Sequence, residues 1–118
     1  MYEFKSRVRY SEIDHRGTMT LPALINYFQD SSTFHSEEAG LGMEHLKAEK
    51  KAWVLSYWQV IVERYPKLGE EITVGTFATE VKGLYGNRNF YMKDSSGALT
   101  ACANSIRGFM DLEKGRPA

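Results

Sequence analysis

Polar and apolar residues alternate from Tyr2 to Tyr10, with Tyr2, Phe4, Ser6, Val8 and Tyr10 on one side and Glu3, Lys5, Arg7 and Arg9 on the other. That is the period of a half-buried strand. The period then changes. Thr20 is placed to cap a helix that tolerates Pro22 in its first turn and meets Gly40 as a stop after about 19 residues, roughly 28 Å of helix. Leu21, Leu24, Ile25, Phe28, Ser31, Ser32 and His35 recur along one helical face, flanked by Tyr27 and Phe34. The second half of that face is small and polar, which lets a sheet approach the helix closely.

Leu41 to Glu49 reads as a short second helix or a loop with Met43 and Leu46 inward. The rest of the chain is β-structure. Ala52 to Tyr65 is rich in Trp, Val, Ile and Tyr and closes at Pro66, and Lys67-Leu68-Gly69-Glu70 reads as a turn. Strands follow over Glu71 to Lys82, Asn87 to Asp94 and Ala98 to Leu112, joined by a hairpin at Gly83 to Gly86 and a tight turn at Ser95-Ser96-Gly97. One long helix followed by a four-strand meander, which the N-terminal strand can join, predicts an α+β fold in which a curved antiparallel sheet wraps the helix. Such a sheet leaves an open edge and an uncovered rim of helix, so a homodimer or a second, similar domain is expected.

Residues 1–118 are read as a single domain, the size that one core supports. Fifteen basic residues balance fifteen acidic ones, which leaves no field to attract nucleic acid or an anionic membrane. No apolar stretch approaches the roughly 20 residues needed to cross a bilayer. Cys102 is the only cysteine, which excludes an internal disulfide and suits a reducing compartment, so a cytoplasmic location is expected. His15, His35 and His45 show no metal-ligand spacing with cysteine or carboxylate, and no metal is expected.

The chemistry concentrates where the first strand gives way to the helix. The loop Tyr10-Ser11-Glu12-Ile13-Asp14-His15-Arg16-Gly17 carries a central carboxylate toward a helix N-terminus, where backbone N–H groups favour an oxygen that bears negative charge. That is the raw material of acyl transfer. The same spacing also describes a carboxylate and a glycine that merely shape a turn.

This loop, the helix start Leu21-Pro22-Ala23-Leu24-Ile25-Asn26-Tyr27-Phe28-Gln29-Asp30, the strand entry Ala52-Trp53-Val54-Leu55 and the closing Phe109 to Pro117 resemble the hotdog fold, and more narrowly the N-terminal half of the acyl-acyl carrier protein thioesterases. The resemblance implies hydrolysis of fatty acyl thioesters of acyl carrier protein, or of CoA, to free fatty acid, a step of fatty acid biosynthesis that needs no cofactor. Members of that family carry two hotdog units, and the usual catalytic set, an Asp followed at two-residue steps by Asn and His, lies in the second. Here Asp14 stands on the Asp, but Arg16 and Thr18 occupy the other two places. The chain is thus similar to the half that shapes the acyl pocket. Asp14-His15-Arg16-Gly17 also has the Asp-x-x-Gly form of single-hotdog thioesterases similar to the 4-hydroxybenzoyl-CoA type. There the Asp acts as nucleophile or base, and N–H groups, here those of Gly17 and Met19 to Leu21, polarise the carbonyl.

The candidate catalytic residues are therefore Asp14, Gly17 and His15, the last orienting water or the phosphopantetheine arm, or simply solvated. Candidate substrate-binding residues are Trp53, Tyr57, Phe28 and His35, within an aromatic set completed by Trp58, Tyr65, Phe77 and Phe90 that either walls an acyl tunnel or fills a core. Asp30, Glu37 and Glu38 on the helix are the alternative acids.

Overall fold

The computed structural model describes residues 2–38, 51–82, 85–111 and 116–117, with side chains described over 2–38, 58–78 and 87–106. Among the described residues six strands and one α-helix run in the order β1 (Tyr2–Arg7), α1 (Leu21–Glu38), β2 (Lys51–Val62), β3 (Glu71–Lys82), β4 (Tyr85–Asp94), β5 (Leu99–Asp111) and β6 (Arg116–Pro117). The sheet is antiparallel, ordered β1-β3-β4-β5-β2, with β6 paired to the end of β5. The α1 helix lies against one face of it, the α+β hotdog arrangement expected from the pattern.

The strand order corrects the expected meander. β3, β4 and β5 follow one another, but β2 pairs with β5 at the far side and never touches β3 in the ladder. The segment between β2 and β3 therefore spans the sheet end. Arg64 holds it there, donating to Glu70 Oε1 at 2.9 Å and to Asp94 Oδ2 at 3.0 Å, so the end of β2 is pinned to the ends of β3 and β4. β6 was not foreseen, and the expected second helix at Leu41 to Glu49 and the Gly40 stop lie outside the described residues.

The first strand ends at Arg7, earlier than its alternation predicts. Val8 keeps the inward phase and is buried, but Tyr10 swings out to 82% exposure in a 3-10 turn, Tyr10–Glu12. The helix begins where expected, because Thr20 Oγ1 accepts the Ala23 N–H at 3.3 Å. Its buried face is Ala23, Leu24, Tyr27, Phe28, Ser31 and Ser32. Leu21 and Phe34 are exposed instead, so the face is centred nearer Tyr27 than its hydrophobic residues alone suggest. Leu24 and Phe28 meet Ile72, Val74, Phe90 and Met92 from the sheet, and Phe28 stacks on Phe90 with 5.4 Å between ring centroids.

Candidate active site

The segment between β1 and α1 folds into a small closed loop. Ile13 bridges Met19, the Asp14 N–H donates to the Thr18 carbonyl at 3.0 Å, and the Gly17 N–H donates to the Asp14 carbonyl at 3.0 Å. Gly17 sits at φ +77°, a left-handed conformation that costs other residues a steric penalty, which is why glycine closes this turn. The loop is fastened from outside as well. Buried Met19 donates its N–H to the Pro66 carbonyl at 2.8 Å, Leu68 donates to the Gly17 carbonyl at 2.9 Å, and Thr20 donates to the Glu12 carbonyl at 2.9 Å.

Asp14 stands at the first corner of this turn. Its Oδ1 accepts the Arg16 N–H at 2.9 Å, and its Oδ2 accepts from Arg16 Nε at 3.3 Å and Nη2 at 3.2 Å. The Arg16 N–H foremost, and then its guanidinium, hold the Asp14 carboxyl below the ordinary carboxylate range. The side chain keeps 24% of its surface exposed and looks onto two open hollows. One, of about 360 Å³, is shared with Met19, Thr20, Leu21 and Tyr65; the other, of about 460 Å³, with Tyr10, Ile13, His15 and Gly17. Asp14, His15 and Gly17 are thus brought together in one loop, with His15 exposed at its rim.

Three of the donors expected to polarise a carbonyl are already engaged within the fold. The N–H groups of Gly17, Met19 and Thr20 are committed to the carbonyls of Asp14, Pro66 and Glu12. Sequence placed them at the helix start; two of the acceptors lie in the same loop, and the third, Pro66, comes from a turn that is distant in the chain.

The substrate-binding candidates separate. Phe28 has no exposed surface, and with Trp58 it sandwiches Phe90, the Trp58 to Phe90 centroid distance being 5.0 Å. These three rings fill the core. Phe77 points away from them, because strand alternation sets it on the opposite face from Thr76 and Phe90. There it lines an apolar groove of about 270 Å³ with Ile61, Tyr91, Leu99 and Cys102. The side chains of Trp53 and Tyr57 lie outside the described residues.

His35 lies under the far end of α1, its ring stacked on Tyr2 at 5.8 Å and its Nδ1 3.1 Å from Arg88 Nη1. Burial first, and then the Arg88 guanidinium, lower its proton affinity. Asp30 shares a polar hollow of about 360 Å³ with Glu12, Thr20, Asn26 and Tyr27, and burial raises its pKa. Glu37 and Glu38 are exposed.

Two residues escaped the sequence reading. The Tyr27 hydroxyl donates to Glu12 Oε1 at 2.7 Å and so ties the helix to the loop's entry. Arg88 stands two residues before buried Phe90 on β4, an inward position where a cation is out of pattern, and that break in alternation was the available signal.

Comparison with known proteins agrees with this fold. The family model for the acyl-ACP thioesterase N-terminal domain matches residues 1–118. The chain belongs to that family. It is 29% identical over 107 residues to a chloroplastic palmitoyl-acyl carrier protein thioesterase of Gossypium hirsutum, which covers 84% of this chain and 26% of the relative. Among solved structures, a putative oleoyl thioesterase from Lactobacillus plantarum superposes with TM-score 0.96 at 26% identity, over 99% of this chain and 46% of that one. An acyl-ACP thioesterase from Bacteroides thetaiotaomicron gives TM-score 0.92 at 26% identity, over 98% and 48%. The chain therefore spans about a quarter of the curated relative's length and about half of the two solved structures.

Proposed function

We propose that this chain serves the hydrolysis of fatty acyl thioesters to free fatty acids, with acyl carrier protein as the first carrier and CoA as the second. The observation that carries this reading is the family match over residues 1–118, joined to a TM-score of 0.96 with a putative oleoyl thioesterase. Asp14 is the carboxylate that faces solvent beside the start of α1, and in this reading it activates the attack on the thioester carbonyl.

A second reading assigns this hotdog to shaping the acyl site for another hotdog that does the chemistry. The capture of both Asp14 oxygens by Arg16 and the commitment of the Gly17, Met19 and Thr20 N–H groups favour it. Both readings call for a partner, either a second copy or a second hotdog domain. β2, last in the sheet order, offers the edge along which such a unit would add.

The test is release of free thiol from dodecanoyl and hexadecanoyl thioesters of acyl carrier protein and of CoA, by the 118-residue chain and by Asp14→Asn. Turnover by the wild type that Asp14→Asn loses supports the catalytic reading. Equal and negligible rates for both would transfer the chemistry to a partner hotdog.

A further inference from the structure

The sheet is apolar on both faces at its middle. Alternation turns Ile72, Val74, Phe90 and Met92 toward α1 and sets the residues between them on the other side. On β1 that outer side carries Glu3, Lys5 and Arg7, all exposed. Farther across the sheet it carries Ile61, Phe77 and Leu99, exposed by 51%, 36% and 53%, around the groove of about 270 Å³ that Tyr91 and Cys102 help to line. An antiparallel sheet covered by a helix on one face ordinarily turns polar residues to water on the other, so three large apolar side chains around one hollow are out of pattern.

The polar groups of this face are engaged with one another. Asn104 Nδ2 donates to Asn87 Oδ1 at 2.6 Å and to Asn89 Oδ1 at 3.0 Å, a ladder of amides across β4 and β5. Glu3 holds the Tyr91 hydroxyl. Among the described residues, none that lines the groove is charged. Covering this face would therefore bury apolar surface without stranding a charge.

The charges at its two edges point to the occupant. One row crosses the whole sheet: Lys5 opposite Thr73, Thr73 opposite Lys93, Lys93 opposite Leu99, and beyond them Glu63, whose N–H donates to the Thr100 carbonyl at 2.8 Å. That row is positive at the β1 edge and negative at the β2 edge, and among the described residues neither Lys5 nor Glu63 forms an ion pair. In the order β1-β3-β4-β5-β2 the middle strand is β4, two places from either edge. A two-fold axis running along β4 between two facing sheets would lay β1 over β2 and β3 over β5. It would bring Lys5 of each copy to Glu63 of the other while the two grooves close on each other.

We propose that the outer face of the sheet is a docking surface for a second copy of this chain, packed sheet on sheet about 10 Å apart with the two-fold axis along β4. The four strands β2 to β5 each run for ten residues or more, and at about 4.8 Å between strands and 3.3 Å per residue they make a face of roughly 600 Å² in plan. That is on the scale of the roughly 800 Å² that each partner of a stable pair covers. The contact is separate from edge addition at β2, which leaves both faces of the sheet as they are.

Sedimentation equilibrium of the 118-residue chain, Phe77→Glu and Leu99→Lys tests the face. The wild type is expected at twice the mass of either variant, whatever adds at the β2 edge, because Phe77 and Leu99 lie on other strands. Leu99→Lys decides alone if Phe77→Glu fails to fold. Lys5→Glu should raise the dissociation constant about ten-fold at low salt, and Lys5→Glu combined with Glu63→Lys should bring it back. A wild type of the same mass as the variants overturns the proposal and leaves the face to an unlike partner. A double charge exchange that pairs as weakly as Lys5→Glu alone overturns it as well, because the axis along β4 is then wrong.

Discussion

Tyr27 donates its hydroxyl proton to Glu12 Oε1 at 2.7 Å across the gap between helix and loop. Ser6 Oγ lies 3.2 Å away and the Arg7 carbonyl 3.4 Å, but the hydroxyl has one proton and the ionised carboxylate is the stronger acceptor. Glu12 Oε1 also accepts the Arg9 N–H at 2.8 Å, and the Glu12 carbonyl accepts Thr20. One glutamate thus joins the entry to the 3-10 turn, the helix and the helix cap. Tyr27→Phe is expected to lower unfolding free energy by about 1–3 kcal/mol in denaturant titration. It should also speed amide exchange from Asp14 to Thr20 while exchange within β4 stays as it was.

The β3–β4 pairing yields a second expectation. Gly75 faces Tyr91 in register, and the tyrosine ring lies so close that a Cβ built on Gly75 would stand 2.0 Å from its Cζ. The ring cannot simply swing aside, because its hydroxyl is bonded to Glu3 on β1. Gly75→Ala should therefore cost roughly 1–3 kcal/mol as an overpacked site. Adding Tyr91→Ala to it should restore part of the loss. A double variant less stable than the sum of the two singles would refute the clash.

How much of this was legible beforehand divides along physical lines. β3 falls where alternation put it, and the Thr20 cap is where the sequence set it, since both depend on near neighbours in the chain. The place of β2 beside β5 was not legible, because it depends on a ladder between segments well separated in the chain and on Arg64 reaching Glu70, just before β3, and Asp94 at the end of β4. The Asp14 loop shows the same divide. Its turn follows from Asp14 and Gly17, but Pro66, brought in by the fold, decides that Met19 has no free N–H. Tyr27 looked like a flank of the helix because its ring is apolar and its hydroxyl's acceptor lies across the loop.

Acid should weaken the Arg64 cluster. Asp94 is pushed down to about 2, chiefly by the Ser96 hydroxyl and then by Arg64, and Glu70 is lowered chiefly by Arg64. Depressed carboxylates add stability that is complete above their unfolded values of roughly 4 and is lost as pH falls toward their folded values. Melting temperature should thus be level near neutrality and fall from about pH 4 downward. Arg64→Met should flatten part of that fall and leave the part due to Ser96. An unchanged acid slope in Arg64→Met would remove the cluster from the account.

Arg16 offers a way to separate turn from chemistry in the loop. Its backbone N–H, the foremost cause of the lowered Asp14 pKa, survives any side-chain change, whereas the guanidinium bonds to Oδ2 do not. Arg16→Gln should therefore leave the turn closed while Asp14 binds protons more readily. If Asp14 is the working base, kcat/KM for a dodecanoyl thioester rises with pH as its carboxyl ionises. The acid limb in Arg16→Gln should then move to higher pH, with the plateau held or raised because Oδ2 is released. Asp14→Asn keeps an amide oxygen for the Arg16 N–H, so the loop should still close, and turnover should drop about a hundred-fold or more. An acid limb that stays put in Arg16→Gln would assign the titrating base to another residue.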